Sequence, residues 1–375
     1  MKLQLIYLTI NIEPTAVGVI NKITAKCEKF NEQNSPCDWV NINEYTKSIF
    51  VNSKLVFSSN DDKKLIDFFN ELSKGKIVIF RHHEFSKNIE KIIKTNITIS
   101  EHNTIEIYEW INIYKSYNLR DWIYLFRSFE IIKLVQKLYF YLFKAKRIYK
   151  MFYGYIGVTE EIRSFQERNY YGKKIPSAVI SNGVKKRIEF SNDLPLIDTN
   201  KAEIIFVFFA GSEYNWHNFE RLTKSILNHL SSNIFIHYYG KKNQKIIHPN
   251  IKYFESYNDE ILNELYNKNV IGIGSLGLYK NKLFEACPLK VRDYWSLGFP
   301  VILGYRDTDV INNKFLEPFV LEFSNDDSLL DYQKINEFID QLKKYKRSDL
   351  TNHLDEISIE SKTKEYIKFI KSISN

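Results

Sequence analysis

Short apolar runs alternate with segments of helical period along most of the chain. Residues 3–9, 76–80 and 203–209 have the length and composition of buried strands. Between such runs, residues 19–30 and 160–170 place apolar side chains three and four positions apart, as on one face of a helix. This alternation predicts an α/β fold with mostly parallel strands.

The same pattern predicts further elements. Further strands are predicted at residues 51–58, 96–100, 155–158, 178–180, 234–238, 251–254, 270–273, 301–303 and 319–321. Further helices are predicted at residues 85–94 and 118–150 and from about residue 216.

The rhythm is interrupted once, by the polar segment 189–200 with its sequence Ser-Asn-Asp-Leu-Pro. A chain of 375 residues is long enough for two domains that each bury a core. We therefore predict one domain over residues 1–190, a second over residues 200–350, and a C-terminal helix within residues 351–375.

Ligands in open α/β sheets bind at the carboxyl ends of the strands, so the turns that follow strands are the candidate sites. In the first of two such turns, Gly211 follows an apolar strand and permits a ligand to approach the backbone. The alternative is that Gly211 only allows a tight turn between the strand and the next helix and binds no ligand. His217, at the start of the next helix, is weaker evidence, because a histidine at a helix start is more often structural or solvated than a ligand-binding residue.

The second turn leads into a helix that begins near Pro288, a residue suited to a first turn. Glu285 lies just before this helix and Asp293 about a turn and a half inside it. Ionised carboxylates are good acceptors for sugar and ribose hydroxyls, and a helix N-terminus favours phosphate. The alternative is a solvated acid next to a surface helix.

Glu285, Asp293 eight residues later, and then Gly-Phe-Pro-Val at 298–301 resemble the E-x7-E signature of retaining GT-B glycosyltransferases, especially family 4. Four upstream segments resemble further family motifs in the expected order, at residues 16–19, 155–162, 179–184 and 250–254. The resemblance spans roughly residues 14 to 305.

This resemblance implies the GT-B fold, with two Rossmann-like domains facing each other across a cleft and a C-terminal helix that crosses back to the first domain. It implies a retaining glycosyltransferase that moves a sugar from a nucleotide-diphosphate sugar to a glycan or lipid-linked acceptor, in the synthesis of a surface polysaccharide or glycoconjugate. No metal or other cofactor is expected, because the helix dipole can stabilise the departing diphosphate.

The resemblance also assigns roles to individual residues. Glu285 would contact the donor sugar or stabilise the charged transition state, and Asp293 would hold the ribose hydroxyls. Backbone groups of Pro288, Leu289 and Lys290 would line the sugar and diphosphate. The remaining expected contacts are Tyr253 near the donor base and Gly18 and Val19 on the acceptor side.

The chain departs from the family pattern where an Arg and a Lys usually neutralise the diphosphate. Ser212 and His217 stand at those positions, and Lys290 or Arg292 could supply the missing charge. The departure leaves two alternatives open: a GT-B protein that binds a nucleotide or glycan without catalysis, and a nucleotide-sugar epimerase.

A histidine after a first-domain strand is expected near the reacting carbon. His102, after the strand at 96–100, fits that placement best, and His82 and His83 are competitors. Since the leaving phosphate can itself act as the base in a retaining mechanism, no side-chain base is obligatory.

Positive charge is concentrated in one region. Residues 111–150 carry nine Lys or Arg and two acids, while the formal net charge of the whole chain is +8. Interleaved aromatic residues over 114–150 fit a helix docking on an anionic membrane surface. The alternative is that the aromatic side chains pack on the first core. Nucleic-acid binding ranks last, because nothing here resembles a nucleic-acid-binding motif.

The three cysteines match no disulfide or zinc framework, and the first residues do not resemble a signal peptide. We expect a cytoplasmic protein, peripheral at the inner face of the membrane.

Overall fold

The computed structural model describes residues 3–82, 86, 88–115, 117–127, 130–185, 194–211, 214–227, 233–241 and 246–374. The chain forms two compact units. The first comprises residues 1–181 and 359–375, and the second comprises residues 182–358. The predicted boundaries were 190 and 350, so both junctions lie eight or nine residues away from their predicted places.

The first unit contains an eight-stranded sheet in the order β4-β3-β2-β1-β5-β6-β7-β8. Strands β1, β2 and β5 to β8 run parallel, and β3 and β4 are antiparallel additions at one edge. The strands are β1 (Leu5–Ile10), β2 (Cys37–Asn43), β3 (Ser48–Val51), β4 (Lys54–Ser58), β5 (Ile77–Arg81), β6 (Ile97–His102), β7 (Gly154–Gly157) and β8 (Ser177–Val179).

Helices cover both faces of this sheet. They are α1 (Val17–Glu32), α2 (Asp62–Leu72), α3 (Ile89–Thr95), α4 (Glu106–Lys115), α5 (Leu119–Arg127), α6 (Glu130–Tyr139), α7 (Ala145–Tyr149) and α8 (Glu160–Gln166), with π-helical turns at Phe140–Lys144 and Glu167–Tyr171. Because successive strand side chains alternate between faces, Ile6 and Leu8 enter one core while Leu5 and Tyr7 enter the other.

The C-terminal helix α15 (Ile359–Ser374) belongs to the first unit, as predicted from the resemblance. It packs on α1, where the Tyr366 and Phe30 rings meet edge to face at 6.0 Å. Tyr366 and Ile370 are part of the core on that face of the sheet. Helix α15 thus completes the core that Leu5 and Tyr7 enter.

The second unit contains a six-stranded parallel sheet in the order β11-β10-β9-β12-β14-β16. Its strands, with the short pair β13 and β15, are β9 (Ile204–Gly211), β10 (Ile234–Gly240), β11 (Ile251–Phe254), β12 (Asn269–Ile273), β13 (Glu285–Ala286), β14 (Val301–Leu303), β15 (Arg306–Asp307) and β16 (Val320–Glu322). Its helices are α9 (Phe219–Ile226), α10 (Asp259–Tyr266), α11 (Leu289–Ser296), α12 (Thr308–Asn312), α13 (Tyr332–Leu342) and α14 (Arg347–Thr351), with 3-10 turns at Asn215–His217, Leu278–Asn281 and Lys314–Phe319.

The predicted α/β class with mainly parallel strands is confirmed. The segment predicted as one strand at 51–58 is a hairpin instead, because Asn52 and Ser53 adopt positive φ angles of 48° and 68° and turn the chain between β3 and β4. Strand β2 was not predicted. Across the described residues, the structure contains no helix long and apolar enough to cross a membrane.

Candidate functional site

The turn after β9, the first of the two candidate turns, lies against the loop that follows β12. The carbonyl oxygens of Trp216 and His217 accept hydrogen bonds from the N–H groups of Gly277 and Leu276, both at 3.1 Å. Asn218 is in the left-handed conformation (φ 47°), and a Cβ on Gly277 would come within 2.7 Å of the Asn218 Cβ. The turn after β9 therefore fits against the loop after β12 only because Gly277 has no side chain.

Gly211 is the last residue of β9, at the carboxyl edge of the second sheet. Ser212, which stands at the family's Arg position, lies outside the described residues. His217 ends the following 3-10 turn, and its ring packs edge-on against Phe208 at 6.0 Å.

Helix α11 begins where the sequence predicts. Pro288 is its N-cap residue, in an extended conformation, and Leu289 and Lys290 are the first two helical residues. A proline side chain offers no acceptor to the first N–H groups of the helix, so those groups can donate to a ligand. The helix start therefore has the polarity that favours a diphosphate.

A buried network fixes the start of α11. The backbone N–H of Asn182 donates to Cys287 Sγ (2.9 Å), and the Asn182 side-chain amide donates to the Cys287 carbonyl (2.5 Å). Arg292 donates from Nε to the Asn182 carbonyl (3.1 Å) and from Nη1 to Asp307 Oδ2 (2.5 Å), and it also pairs with Asp309. Burial alone would lower the pKa of Arg292, but the two carboxylates hold it well above its usual value.

Arg292 therefore makes its ion pairs inside the protein. It is 2% exposed and bound to Asp307 and Asp309, so of the two suggested replacements for the missing charge only Lys290 remains. Asp307 and Asp309 form an Asp-x-Asp sequence, which the expectation of a metal-free enzyme overlooked. In the fold their carboxylates hold Arg292, and Asp307 also caps α12.

Lys290 places its amine over the Phe208 ring, with Nζ 4.5 Å from the ring centroid. The Nζ atom is buried and has no hydrogen-bond partner among the described residues. Burial lowers the pKa of Lys290 to about 7, because the charged form loses its water. His217 and Lys290 thus flank one aromatic ring near the end of β9.

Asp293 lies in the second turn of α11, half-buried, near Tyr257. The Tyr257 hydroxyl is 3.5 Å from Asp293 Oδ2, and the Tyr257 ring stacks on Phe209 at 4.1 Å and 17°. Phe209 also stacks on Tyr294, whose hydroxyl accepts from the Phe209 N–H and reaches the carbonyls of β9 and β12. An acceptor carboxylate and an aromatic face are thus adjacent, as a nucleoside would require.

Tyr257 and Tyr294 were missed from the sequence. Tyr257 lies three residues after the strand segment 250–254, and an aromatic residue soon after a strand is the signal that could have identified it. Nothing in the sequence indicates that Tyr294 links two strands, because its partners are backbone groups.

Glu285 begins the short strand β13, where its backbone lies opposite that of Arg306 in the neighbouring strand β15. Its side chain is half-buried. Tyr253, on β11, has its hydroxyl bonded to the backbone N–H (2.9 Å) and carbonyl (3.3 Å) of Ile246. The roles predicted for Glu285 and Tyr253 stay predictions, and the Tyr253 hydroxyl already has a structural use.

In the first unit, Gly18 and Val19 lie on the first turn of α1, where Gly18 is exposed and Val19 half-buried. His102 ends β6 and is fully buried. Its Nδ1 lies 3.1 Å from Glu106 Oε1, and its Nε2 lies 2.9 Å from both Ser100 Oγ and Tyr171 OH. Both ring nitrogens are therefore engaged, and the catalytic role of His102 stays a prediction.

His82, the competing histidine, stacks on His102 at 4.6 Å, while His83 lies outside the described residues. Burial, and then the neighbouring His102, lower the pKa of His82 well below its usual value, so His82 is neutral. Together with Glu106, the two histidines offer three potential metal ligands within 4.8 Å of one another. Hydrogen bonds already occupy the His102 nitrogens, and the expectation of a metal-free enzyme stays a prediction.

Comparison with known proteins gives structural matches alone. No family model and no curated sequence matches the chain. Among solved structures it is similar to the apo form of the lipopolysaccharide outer core galactosyltransferase WaaB, with a TM-score of 0.58, 11% identity and 99% of both chains covered.

Two further structures show the same similarity. Anabaena HepE in complex with UDP and glucose matches with a TM-score of 0.56 and 8% identity over 99% of this chain and 100% of that one. WaaG, a glycosyltransferase involved in lipopolysaccharide biosynthesis, matches with a TM-score of 0.56 and 8% identity over 97% and 98% of the two chains. The chain has the GT-B fold, with two Rossmann-like units, as predicted.

Proposed function

We propose that this protein is a glycosyltransferase that takes a sugar from a nucleotide-diphosphate donor and transfers it to a glycan or lipid-linked acceptor. The observation that carries the proposal is the carboxyl edge of the second sheet. There the uncapped start of α11, the buried amine of Lys290 and the Asp293 carboxylate beside Tyr257 come together on a GT-B fold. HepE, which has this fold, is described with UDP and glucose, and UDP is therefore the first donor nucleotide to test.

Each part of this edge matches one part of such a donor. The first N–H groups of α11 and the Lys290 amine would receive the diphosphate, because both favour negative charge. Asp293 would accept hydrogen bonds from the ribose hydroxyls, and the base would lie near Tyr257. Glu285, three residues before the helix N-cap, would face the sugar and stabilise positive charge developing at its reacting carbon.

We further propose that transfer proceeds with retention and without a metal, in the synthesis of a surface glycan. The helix N-terminus and Lys290 would together stabilise the leaving diphosphate, replacing the Arg and Lys usual at the end of β9. Retention predicts that the new glycosidic bond keeps the anomeric configuration of the donor, which NMR of the product would establish.

A thermal-shift experiment tests the donor site. UDP, GDP, ADP, CMP and dTDP are added separately to the purified chain with EDTA present. A nucleotide at about 100 times its dissociation constant stabilises the folded state by about 2.7 kcal/mol, which is a clear rise in melting temperature. We expect one nucleotide, with UDP foremost, to do so, and Asp293→Ala to lose the effect while Asp293→Asn retains part of it.

The control is Asp340→Ala, which removes an exposed carboxylate elsewhere in the second unit. If none of the five nucleotides shifts the wild-type transition, the proposed donor site is wrong. Nucleotide binding without turnover would favour the non-catalytic alternative, and conversion of donor sugar without an acceptor would favour the epimerase.

We also propose that the first unit docks on an anionic membrane through the docking helices, defined as α5, α6 and the π-helical turn at Phe140–Lys144. Several of their large apolar side chains are exposed, with Leu119 at 76%, Leu142 at 67% and Phe143 at 71%. Exposed cations flank them. These are Lys115, Arg120, Lys144, Lys146, Arg147 and Lys150.

The alternative, in which the aromatic side chains pack on the core, holds for only part of this region. Phe140, Tyr141 and Tyr149 are buried in the core that Ile6 and Leu8 enter, whereas Tyr124, Phe126 and Phe143 are exposed. Exposed apolar groups bordered by positive charge are complementary to an anionic lipid surface, and a lipid-linked acceptor would be reached from there.

A further inference from the structure

The second unit contains a pocket of about 580 Å³ that lies away from the proposed donor site. One wall is the 3-10 turn Lys314–Phe319, and the other is formed by Lys344, Tyr345 and the residues at the end of α14. Because Phe319 directly precedes β16, the edge strand, the pocket lies at the amino end of that strand. The donor site is proposed at the opposite, carboxyl edge of the same parallel sheet. The volume is typical of a small-molecule site, for which the range is roughly 300–1,000 Å³.

The two walls of the pocket are held in place by a buried asparagine and by an aromatic contact. Asn313 is 6% exposed, and its side-chain oxygen accepts from the Phe315 N–H at 3.1 Å. The side-chain amide of Asn313 donates to Glu356 Oε2, also at 3.1 Å, in the segment that follows α14. The Phe319 and Tyr345 rings meet edge to face at 5.2 Å. The pocket is therefore preformed, because these contacts join the 3-10 turn to the segments that face it.

An aromatic ring in the pocket has one face open to solvent. The Phe315 ring stacks on the His353 imidazole, with 4.7 Å between the ring centroids and 5° between the planes. Phe315 is still 61% exposed, so the face that His353 does not cover is accessible to a ligand. A sugar ring presents C–H groups on one face, and an aromatic face buries them while the hydroxyl groups remain free to meet polar partners.

Polar side chains beside this ring have hydrogen-bonding capacity to spare. Asn352 and His353 make no side-chain hydrogen bond to any residue that the structure describes. Asp349 uses one carboxylate oxygen, Oδ2, to accept from the Lys346 N–H at 2.8 Å. Sugar hydroxyls both donate and accept, so an amide, an imidazole and a carboxylate together match them.

Two lysines add positive charge to the pocket, one from each wall. Lys314 belongs to the 3-10 turn, and Lys344 places its amine 5.3 Å from the centroid of the Tyr345 ring. Both side chains are exposed, and within the described part of the chain neither forms an ion pair. Asp349 is the single acid among the residues that line the pocket. The lining therefore favours a ligand that carries a negative charge as well as hydroxyl groups.

We propose that this pocket is a second saccharide site, which binds a sugar residue that carries a carboxylate or a phosphate. The sugar ring would stack on Phe315, its hydroxyls would bond to Asn352 and Asp349, and its anionic group would pair with Lys314 and Lys344. This inference rests on the proposed transferase function, since the residue would belong to the glycan acceptor or product at a point remote from the transfer. Such a second contact raises the effective concentration of a long glycan at the enzyme.

The test uses the full chain saturated with UDP, so that added ligands cannot report on the donor site. Sodium glucuronate, glucose 6-phosphate, uncharged glucose and AMP are titrated separately at constant ionic strength, and dissociation constants are measured by saturation-transfer NMR. We expect at least one of the two charged sugars to bind tenfold or more tightly than glucose. Tighter binding of glucuronate identifies the anionic group as a carboxylate, and tighter binding of glucose 6-phosphate identifies it as a phosphate.

Two variants separate stacking from charge. Phe315→Ala is expected to raise the dissociation constant of the charged sugar tenfold or more. Lys344→Met is expected to do the same for the charged sugar while leaving the binding of glucose unchanged. Because both side chains are exposed, both variants should melt as the wild type does. Leu329→Ala is the matched control, since Leu329 is an apolar side chain in the same unit that is 64% exposed and lies outside the pocket, and it should bind the charged sugar normally.

The saccharide site and the donor site can fail separately. Charged sugars that bind no better than glucose, or that bind Phe315→Ala as tightly as the wild type, overturn the inference even where UDP stabilises both proteins. Tighter binding of AMP than of either charged sugar, lost in Phe315→Ala, also overturns it, because the pocket would then be a nucleotide site. If no nucleotide binds the donor site, the same titrations are run without UDP. Binding of a charged sugar that depends on Phe315 then supports the saccharide site while the proposed transferase function fails.

Discussion

At the scale of single residues, Lys290 shows how the fold selects between chemically equivalent candidates. Lys290 and Arg292 are two positions apart, and the sequence offers both as the missing positive charge. Two positions along a helix point to different sides, so Arg292 enters a buried ion-pair network while Lys290 keeps an amine without a hydrogen-bond partner among the described residues. The choice depends on Asp307 and Asp309, which are distant in sequence from the helix start.

The lowered pKa of Lys290 predicts a pH dependence of stability. An unfolded lysine titrates near 10.4, and burial lowers the pKa of Lys290 in the folded chain to about 7. Between these values the unfolded chain holds a proton that the folded chain lacks, so stability rises with pH, by up to about 1.4 kcal/mol per pH unit from this group. Urea unfolding at pH 7 to 9.5 should show this rise in wild type and its loss in Lys290→Met.

Lys334→Met is the control, because Lys334 is an exposed lysine on α13 of the same unit. Its pH profile should follow that of the wild type. If Lys290→Met also follows the wild type, the Lys290 amine is solvated and charged in the folded chain.

Glu285 is the residue predicted to contact the donor sugar or stabilise the charged transition state. Glu285→Ala is expected to cut turnover several hundred-fold, which corresponds to roughly 3–4 kcal/mol of transition-state stabilisation. Because Glu285 is half-buried on a two-residue strand, the melting temperature should change little. The prediction is tested by comparing initial rates of transfer or donor hydrolysis, and melting temperatures, between Glu285→Ala and the wild type.

Glu255→Ala, which removes an exposed acid in the same unit, should retain full activity. A melting temperature for Glu285→Ala that falls together with its activity would assign Glu285 a structural role.

At the scale of elements, most of the continuous apolar strands were predicted, but strand β2 and the helices α2, α10 and α13 were not. Strand β11 and strand β14 have the bounds expected from their apolar runs. Strand β2 includes Asn41, which is buried and bonded to Thr9 and to the backbone of Ile12. When the hydrogen-bond partners of a buried polar residue are distant along the chain, the sequence alone cannot distinguish that residue from one in an exposed loop.

From the docking helices we predict that the protein binds membranes and that binding depends on the negative charge of the lipid. The purified chain should co-sediment with vesicles containing anionic phospholipid and bind vesicles of phosphatidylcholine alone much more weakly, since each nearby cation contributes about 1 kcal/mol. Raising the salt concentration should weaken binding by screening. Exchanging Leu142 and Phe143 for serine should reduce binding at least tenfold, because both side chains are exposed.

Ile247→Ser is the matched control, as Ile247 is 99% exposed in the second unit. It should bind anionic vesicles as the wild type does. Equal binding to both vesicle types, or no loss on changing Leu142 and Phe143, would contradict membrane docking through these helices.

At the scale of the whole molecule, the order of motifs was enough to predict the GT-B fold. Any one of the five motif segments is weak, but their order and spacing follow the alternation of strands and helices in two successive units. The unit boundaries were less predictable. The second unit extends to residue 358 because Val184 pairs with Ser358, a contact between positions 174 residues apart.

The sequence by itself determined the α/β class, the two Rossmann-like units and the position of α11, since these follow from local periodicity, Pro288 and motif order. Only the tertiary structure decided the state of each charge. It paired Arg292 with Asp307, surrounded Glu101 with three cations, and placed His102 in a hydrogen-bonded core. The physical reason is that backbone preference is local, whereas desolvation and ion pairing depend on residues brought together from distant parts of the chain.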